Sequence, residues 1–155
     1  MRTIEGTKHG KGMKIAIVVS RFNFEITKKL LKGAVDTLIR HGIEKTNITV
    51  VYVPGGLEIP LTAQTLARSG KYDGLIALGA VIKGGTRHYL YVSDNCMRGI
   101  SEVTLTTGVP IALGVLTTDT VDQALARASN ASGLNRGVEA AEAVIEMVNV
   151  LKKVR

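Results

Sequence analysis

The chain has 155 residues, of which 45% are hydrophobic and 21% are charged, as is typical of a globular protein that buries its own core. No apolar run approaches the roughly 20 residues that span a bilayer, and the polar N-terminal segment is unlike a signal peptide, so we expect a cytoplasmic protein without a membrane partner. The net charge of +7 is spread along the chain and aromatic residues make up only 4%, which argues against nucleic acid as the natural ligand.

Taken in chain order, four short apolar runs are expected to form the strands of one parallel sheet, at residues 14–20, 47–53, 74–82 and 110–118. Their nearly continuous apolar character is typical of strands that are buried on both faces. Segments of helical period lie between and after them, at residues 25–41, 59–69, 91–107, 120–127 and 138–153. The alternation predicts an α/β fold, a flavodoxin-like three-layer αβα sandwich with a four-stranded parallel sheet, in a single domain of residues 1–155 with residues 1–13 as an N-terminal extension.

Ligands of such open sheets bind beyond the carboxyl ends of the strands, so the four strand exits are the candidate functional segments. Their sequences are SRFN, PGGLE, KGGTRH and TTDT. The chain contains no GxxxxGK[ST], GxSxG or HExxH motif, and no GxGxxG motif follows the first strand. Nucleotide hydrolysis, Rossmann-type dinucleotide binding, elbow-type serine hydrolysis and zincin chemistry therefore lose their main support.

The third exit combines a glycine pair with a histidine. Gly84-Gly85-Thr86 offers unhindered backbone amides and a hydroxyl that suit a phosphate, although glycine pairs are also ordinary turn formers. His88 is suited to proton transfer if it faces a pocket, and the alternative is a solvated or structural histidine. His9, in the polar N-terminal segment, and His41, at the end of a helix, are both expected to be non-catalytic.

Three further residues stand out by type and position. Phe22 follows the first strand, where it suits either stacking on a flat heterocycle or anchoring of the loop on the core. Glu58 opens a helix, where it complements the helix dipole or accepts hydrogen bonds from sugar hydroxyls. Cys96 is the only cysteine and cannot form an intrachain disulfide, so we expect a small buried apolar side chain; no metal site is expected.

Together these stretches resemble the lumazine synthase family of riboflavin biosynthesis across essentially the whole chain. The matching pieces occur in the family's order and spacing, and they are IEG, VVSRFN, VPGGLEIP, ALGAVIKGGTRHY, TTGVP, GVLTTDTVDQALARA and NRGVEAAEAVIEM. The resemblance implies a cofactor-free transferase that condenses 5-amino-6-(D-ribitylamino)uracil with 3,4-dihydroxy-2-butanone 4-phosphate. The implied products are 6,7-dimethyl-8-ribityllumazine, phosphate and water, formed by imine formation, phosphate elimination and ring closure.

The resemblance also implies roles for particular residues and for neighbouring subunits. His88 would move protons, and Phe22 would stack on the pyrimidine. The other implied residues are Gly56, Leu57 and Glu58 for the ribityl chain and ring edge, Ala80, Val81 and Ile82 for backbone contacts to the pyrimidine, and Gly85, Thr86, Arg127 and Arg136 for the phosphate. Family members build each site between neighbouring subunits of a pentamer, with position 113 (Leu113) donated by the neighbour and the N-terminal segment added to the neighbour's sheet. Assembly into a 60-subunit shell and association with riboflavin synthase are further implied possibilities.

The chain departs from the family pattern at several of these positions. Leu113 replaces a phenylalanine, and Leu57 replaces the aromatic residue of the PGAFEIP pattern. Leu90 and Asn95 stand where acids are common, and the first change removes an expected orienter of the histidine. Arg136 stands in place of a lysine and is not an equivalent donor. The connector that precedes it is about one residue longer than in many shell-forming relatives, which favours a pentamer.

These departures keep two alternatives to an active synthase open. One is a pentamer or shell with the same fold and weak or lost activity. The other is a carrier that binds a flavin or lumazine without turning over the two substrates. A steady-state assay distinguishes the enzyme from both.

Overall fold

The centre of the molecule is the expected four-stranded parallel sheet. The computed structural model describes all residues, Met1–Arg155. The strands are β1 (Ile15–Ser20), β2 (Ile48–Val53), β3 (Gly74–Ile82) and β4 (Ile111–Thr118), in the order β2-β1-β3-β4. Ile15 lies opposite both Ile48 and Gly74, so the first three strands start level with one another. All four carboxyl ends therefore lie at the same edge of the sheet.

The prediction that every strand is buried on both faces holds only for the two central strands. All six residues of β1 and all but the last of β3 are buried. The outer strands β2 and β4 are partly exposed, with Tyr52 at 49% and Leu113 at 44% exposure. An outer strand has a hydrogen-bonded neighbour on one side only, and the helices above it cover it less completely.

Helices cover both faces of the sheet, which confirms the three-layer arrangement. They are α1 (Phe24–Arg40), α2 (Ile59–Arg68), α3 (His88–Thr107), α4 (Val121–Ala126) and α5 (Arg136–Val154), with short 3₁₀ helices at Lys45–Asn47 and Gly56–Glu58. Side chains of α1, α4 and α5 share one core cluster with Ile15, Ile17 and Val19. Side chains of α2 and α3 pack on the opposite face, around Ala16 and Val18. The alternation of β1 residues between the two clusters is the period of two expected of a strand.

Two helices begin earlier than the sequence period predicts. Helix α3 starts at His88 and not at Tyr91, although its first turn has no capping side chain. Helix α5 starts at Arg136 because the Asn135 side chain accepts hydrogen bonds from the Gly137 and Val138 amides, at 2.8 and 3.4 Å. The remaining helix and strand ends coincide with the predicted ends or differ from them by one residue.

Cys96 is fully buried, as predicted for a small apolar residue. Burial raises the pKa of its thiol to about 11, which keeps it protonated and unreactive at neutral pH. None of the helices is both long and apolar enough to cross a membrane.

The N-terminal segment (residues 1–13) lies along α5 and beside the end of α1. Asn149 donates a hydrogen bond to the Thr7 carbonyl at 2.7 Å, and Lys8 forms an ion pair with Glu142 at 3.0 Å. Gly6 allows a close approach, since a Cβ there would lie 2.3 Å from the Glu146 carbonyl oxygen. Addition of this segment to a neighbour's sheet stays a prediction.

Glu142 links this segment to α5, and its charge is expected to contribute to stability. The hydrogen bond from Lys8 holds the pKa of the Glu142 carboxyl below its ordinary value, and His41, 3.7 Å away, acts in the same direction. Because the folded-state pKa is lowered, this contribution is complete above the ordinary glutamate pKa and is lost as the pH falls through the lowered value.

We expect Glu142→Gln to lower Tm by about 1–3 °C at pH 7, as for a partly exposed ion pair. The difference from the unmodified protein should disappear at acidic pH, where both side chains are neutral. Glu102→Gln removes an unpaired carboxylate from α3 and is the matched control. An equal Tm difference at pH 7 and at pH 3 would contradict the electrostatic origin.

Candidate active site

A cleft of about 340 Å³ lies at the carboxyl edge of the sheet, on the face covered by α2 and α3. It is formed by the ends of β1 and β3, the turn before α2 and the first turns of α3. Its lining residues are Ser20, Phe22, Gly55, Gly56, Leu57, Glu58, Ala80, Val81, Ile82, Gly84, Thr86, His88, Tyr89 and Val92. Nine of them are residues to which the family resemblance assigns a role, and they come from the ends of three strands.

Backbone hydrogen bonds hold the first two exits side by side. The Arg21 amide donates to the Val53 carbonyl at 2.8 Å, and the Phe22 amide donates to the Pro54 carbonyl at 3.0 Å. These bonds continue the β1–β2 ladder past the end of both strands. Phe22 is left 70% exposed above the cleft, so its ring is available for stacking and does not pack on the core.

Asn23 connects the first exit to the third. Its backbone is left-handed, with φ 57° and ψ 45°, a conformation that asparagine tolerates better than most residues. Its side-chain amide donates a hydrogen bond to the Ala80 carbonyl at 2.8 Å. This bond positions the end of β3, whose backbone forms one wall of the cleft.

The second exit forms the opposite wall. Gly56–Glu58 is a 3₁₀ turn, and a Cβ on Gly56 would come within 3.1 Å of Val92 on α3, so a glycine keeps this part of the cleft open. Glu58 is exposed, and its carboxylate accepts no hydrogen bond within the chain. It is therefore free to accept hydrogen bonds from a ligand.

The third exit carries the glycine pair and the histidine at the mouth of the cleft. A Cβ on Gly84 or Gly85 would meet nothing within 4 Å, so the backbone there is open on the side where a side chain would project. Gly85 itself lies between two lining residues without lining the cleft. The His88 amide donates to the Thr86 hydroxyl at 3.3 Å, whereas the imidazole forms no hydrogen bond with the protein.

Leu90 and Asn95 do not orient the imidazole. Leu90 is 46% exposed and does not line the cleft. The Asn95 side chain donates to the Tyr91 carbonyl at 2.8 Å, back along its own helix. The chain thus holds His88 through its position at the start of α3 alone.

Besides Gly85, three of the expected ligand-binding residues lie outside the cleft of their own chain. Leu113 lies opposite Ala77, three residues before Ala80 along the neighbouring strand. Arg127 follows α4, and its carbonyl accepts a hydrogen bond from the Arg136 amide at 2.9 Å, so the two arginines are adjacent. Helix α4 packs with α1 and α5 on the other face of the sheet. A single chain does not bring these residues to the cleft.

Some lining residues were not anticipated from the sequence. Ser20 ends β1, and Tyr89 and Val92 lie in the first turns of α3. Their type gives no functional signal, although the position of Ser20 at a strand exit does. No group of three or more His, Cys, Asp or Glu side chains is placed to hold a metal ion.

The left-handed turn at Asn23 generates a stability prediction. We expect Asn23→Ala to destabilise the fold by about 2 kcal/mol, because it loses the bond to Ala80 and strains the backbone. Asn23→Gly should cost about 1 kcal/mol, since glycine adopts this conformation freely. Urea unfolding of both variants measures the difference, and equal losses would mean that the backbone conformation makes no contribution.

A comparison with protein-family models identifies the fold and the cleft with a known family. The model described as 6,7-dimethyl-8-ribityllumazine synthase matches residues 12–152, which include all four strands and nearly all of α5. The resemblance of the sequence motifs is thereby confirmed, together with the α/β fold and the place in riboflavin biosynthesis. The chain belongs to the 6,7-dimethyl-8-ribityllumazine synthase family and is a transferase that condenses 5-amino-6-(D-ribitylamino)uracil with 3,4-dihydroxy-2-butanone 4-phosphate.

Proposed function

We propose that the condensation takes place in the cleft at the carboxyl edge of the sheet, with His88 as the catalytic residue. The observation that supports this assignment is that nine residues with expected roles, from three separate strand exits, line one cavity. A cavity of about 340 Å³ accommodates a small ligand such as the pyrimidine substrate.

The proposed reaction begins when the pyrimidine amine attacks the ketone and water leaves to form an imine. Phosphate then leaves by elimination, and the resulting enol tautomerises to a ketone. The second nitrogen attacks this ketone, and loss of a second water closes the ring. Each step moves a proton, and one imidazole can accept it from carbon or nitrogen and return it to a leaving oxygen. His88 suits this role because its ring has no partner in the protein and borders the cleft.

The other lining residues are proposed to bind and orient the two substrates. The exposed Phe22 ring stacks on the pyrimidine, and the unpaired Glu58 carboxylate accepts hydrogen bonds from the ribityl hydroxyls. The backbone of Ala80, Val81 and Ile82 contacts the ring. The open amides around Gly85 and the Thr86 hydroxyl bind the phosphate, as backbone concavities of this kind do elsewhere.

We further propose that a neighbouring subunit completes the site. Leu113, Arg127 and Arg136 lie outside the cleft of their own chain, yet an anionic phosphate needs cations near it. A head-to-tail interface that closes into a ring, as in a pentamer, brings such residues to the next chain's cleft. A 60-subunit shell, association with riboflavin synthase and a cytoplasmic location stay predictions.

The proton-transfer role is tested with His88→Ala in an assay of lumazine absorbance against a protein-free control. We expect kcat to fall about 10²- to 10⁴-fold, the usual contribution of a positioned proton donor. Tm and oligomeric state should not change, because the imidazole holds nothing in the chain. His9→Ala removes an exposed histidine far from the cleft and is the matched control. Unchanged turnover in His88→Ala would reject the assignment.

The shared site is tested by co-expressing His88→Ala and Arg127→Ala chains with different affinity tags and isolating mixed assemblies. Each variant alone should be strongly impaired. Random mixing in a ring leaves about a quarter of the sites with both residues intact, so activity should recover to about that fraction of the unmodified protein. If both residues served the same chain's cleft, no mixed assembly would recover activity.

A further inference from the structure

Ser20 is the last residue of β1 and lies in the floor of the cleft. It is only 2% exposed, yet it belongs to the lining residues. Its side chain follows Val18 on the α2–α3 face of the sheet, as the alternation of a strand requires. A polar side chain therefore occupies a core-facing position at the inner end of the cavity.

The Ser20 hydroxyl has no hydrogen-bond partner in the protein. The one side chain that bonds to Ser20 contacts its backbone: the Thr27 hydroxyl donates a hydrogen bond to the Ser20 carbonyl at 2.8 Å. No fully enclosed side-chain nitrogen or oxygen anywhere in the chain lacks a partner, so the Ser20 hydroxyl is not fully enclosed. The free hydroxyl must therefore touch the open space of the cleft, which is the one direction left to it. Because the hydroxyl faces the cleft and pairs with no protein group, its hydrogen-bonding capacity is available to a molecule bound there.

The surroundings of this hydroxyl indicate which part of the cleft it serves. The β1–β3 register sets Ser20 level with Gly79, and a Cβ on Gly79 would lie 3.3 Å from the Ser20 oxygen. Gly79 directly precedes Ala80, where the proposed pyrimidine-binding backbone begins. Gly84 and the phosphate-binding loop lie five residues further along the chain, at the mouth. The hydroxyl is therefore next to the wall proposed to contact the ring.

We propose that the Ser20 hydroxyl binds the polar edge of the pyrimidine ring of the first substrate. This inference rests on the proposed function of the cleft. A hydroxyl is both donor and acceptor, so it can pair with a ring carbonyl or a ring N–H of a uracil. The contact would complement stacking by Phe22, because stacking alone does not fix how the pyrimidine is rotated within its own plane. Ser20 thus acts as a substrate-binding residue that sets the in-plane orientation of the ring.

The experiment compares Ser20→Ala with the unmodified protein by calorimetric titration of the pyrimidine substrate under anaerobic conditions and by steady-state kinetics. We expect Kd and KM for the pyrimidine to rise about five- to tenfold, the effect of one neutral hydrogen bond. KM for the phosphate substrate should not change. Tm should not fall, because the hydroxyl has no partner in the protein. An unchanged Kd and KM for the pyrimidine would overturn the proposal.

A second variant separates hydrogen bonding from packing. Ser20→Cys keeps a side chain of similar shape but is a much weaker hydrogen-bonding group, so it should lose affinity as Ser20→Ala does. Full affinity in Ser20→Cys would show that only volume matters and would overturn the proposal. Ser69→Ala, the same substitution at the opposite end of α2, is the matched control and should leave binding unaltered.

A third arm asks whether the ring itself is the partner. Inhibition by 5,6-diaminouracil, which has the ring but no ribityl chain, should weaken in Ser20→Ala by the same factor. An effect confined to the ribityl-bearing substrate would overturn assignment to the ring edge. Failure of the proposed function can be told apart from failure of the Ser20 proposal. If the unmodified protein binds the pyrimidine without converting it, the Kd values of the unmodified protein and of Ser20→Ala can still be compared.

Discussion

Parallel pairing of β1 with both β2 and β3 is the constraint on which the rest of the structure depends. The chain leaves β1 through α1 on one face of the sheet and reaches β3 through α2 on the other, so the exits of β1 and β3 separate above the sheet. A crevice opens at this switch in winding direction, as in other doubly wound sheets. The cleft is therefore a consequence of strand order and does not depend on any single side chain.

The walls of this crevice are held by backbone bonds, while its functional groups remain free. Amide-to-carbonyl bonds beyond β1 and the Asn23 bond to Ala80 lock three exits together. Within that frame the imidazole of His88, the carboxylate of Glu58 and the hydroxyl of Ser20 have no partners. Such groups break no hydrogen bond within the protein when they turn to a ligand, which is an advantage for binding and for proton transfer.

The outer strand β4 carries the exposed edge on which the shared-site proposal depends. Leu113 is exposed on this strand, and Arg127 and Arg136 are adjacent to each other after α4, on the face that α1 and α5 cover. Apolar and cationic groups displayed at one edge of a sheet fit a head-to-tail contact with the open cleft of another copy. Under that proposal the exposed edge and the distance of the two arginines from their own cleft have one common explanation.

Local sequence pattern was sufficient to predict the strands, the helices, the layers and the four exits, because periodicity depends on residues near one another in the chain. The family motifs also identified most of the cleft, including Phe22, Glu58 and His88. Pattern could not predict the half-exposed outer strands or the start of α3 at His88. It also could not predict the unpaired hydroxyl of Ser20 or the separation of Arg127 from the cleft. Those properties are decided by contacts between distant segments, such as Asn23 with Ala80, 57 residues apart, and such contacts exist only once the sheet has formed.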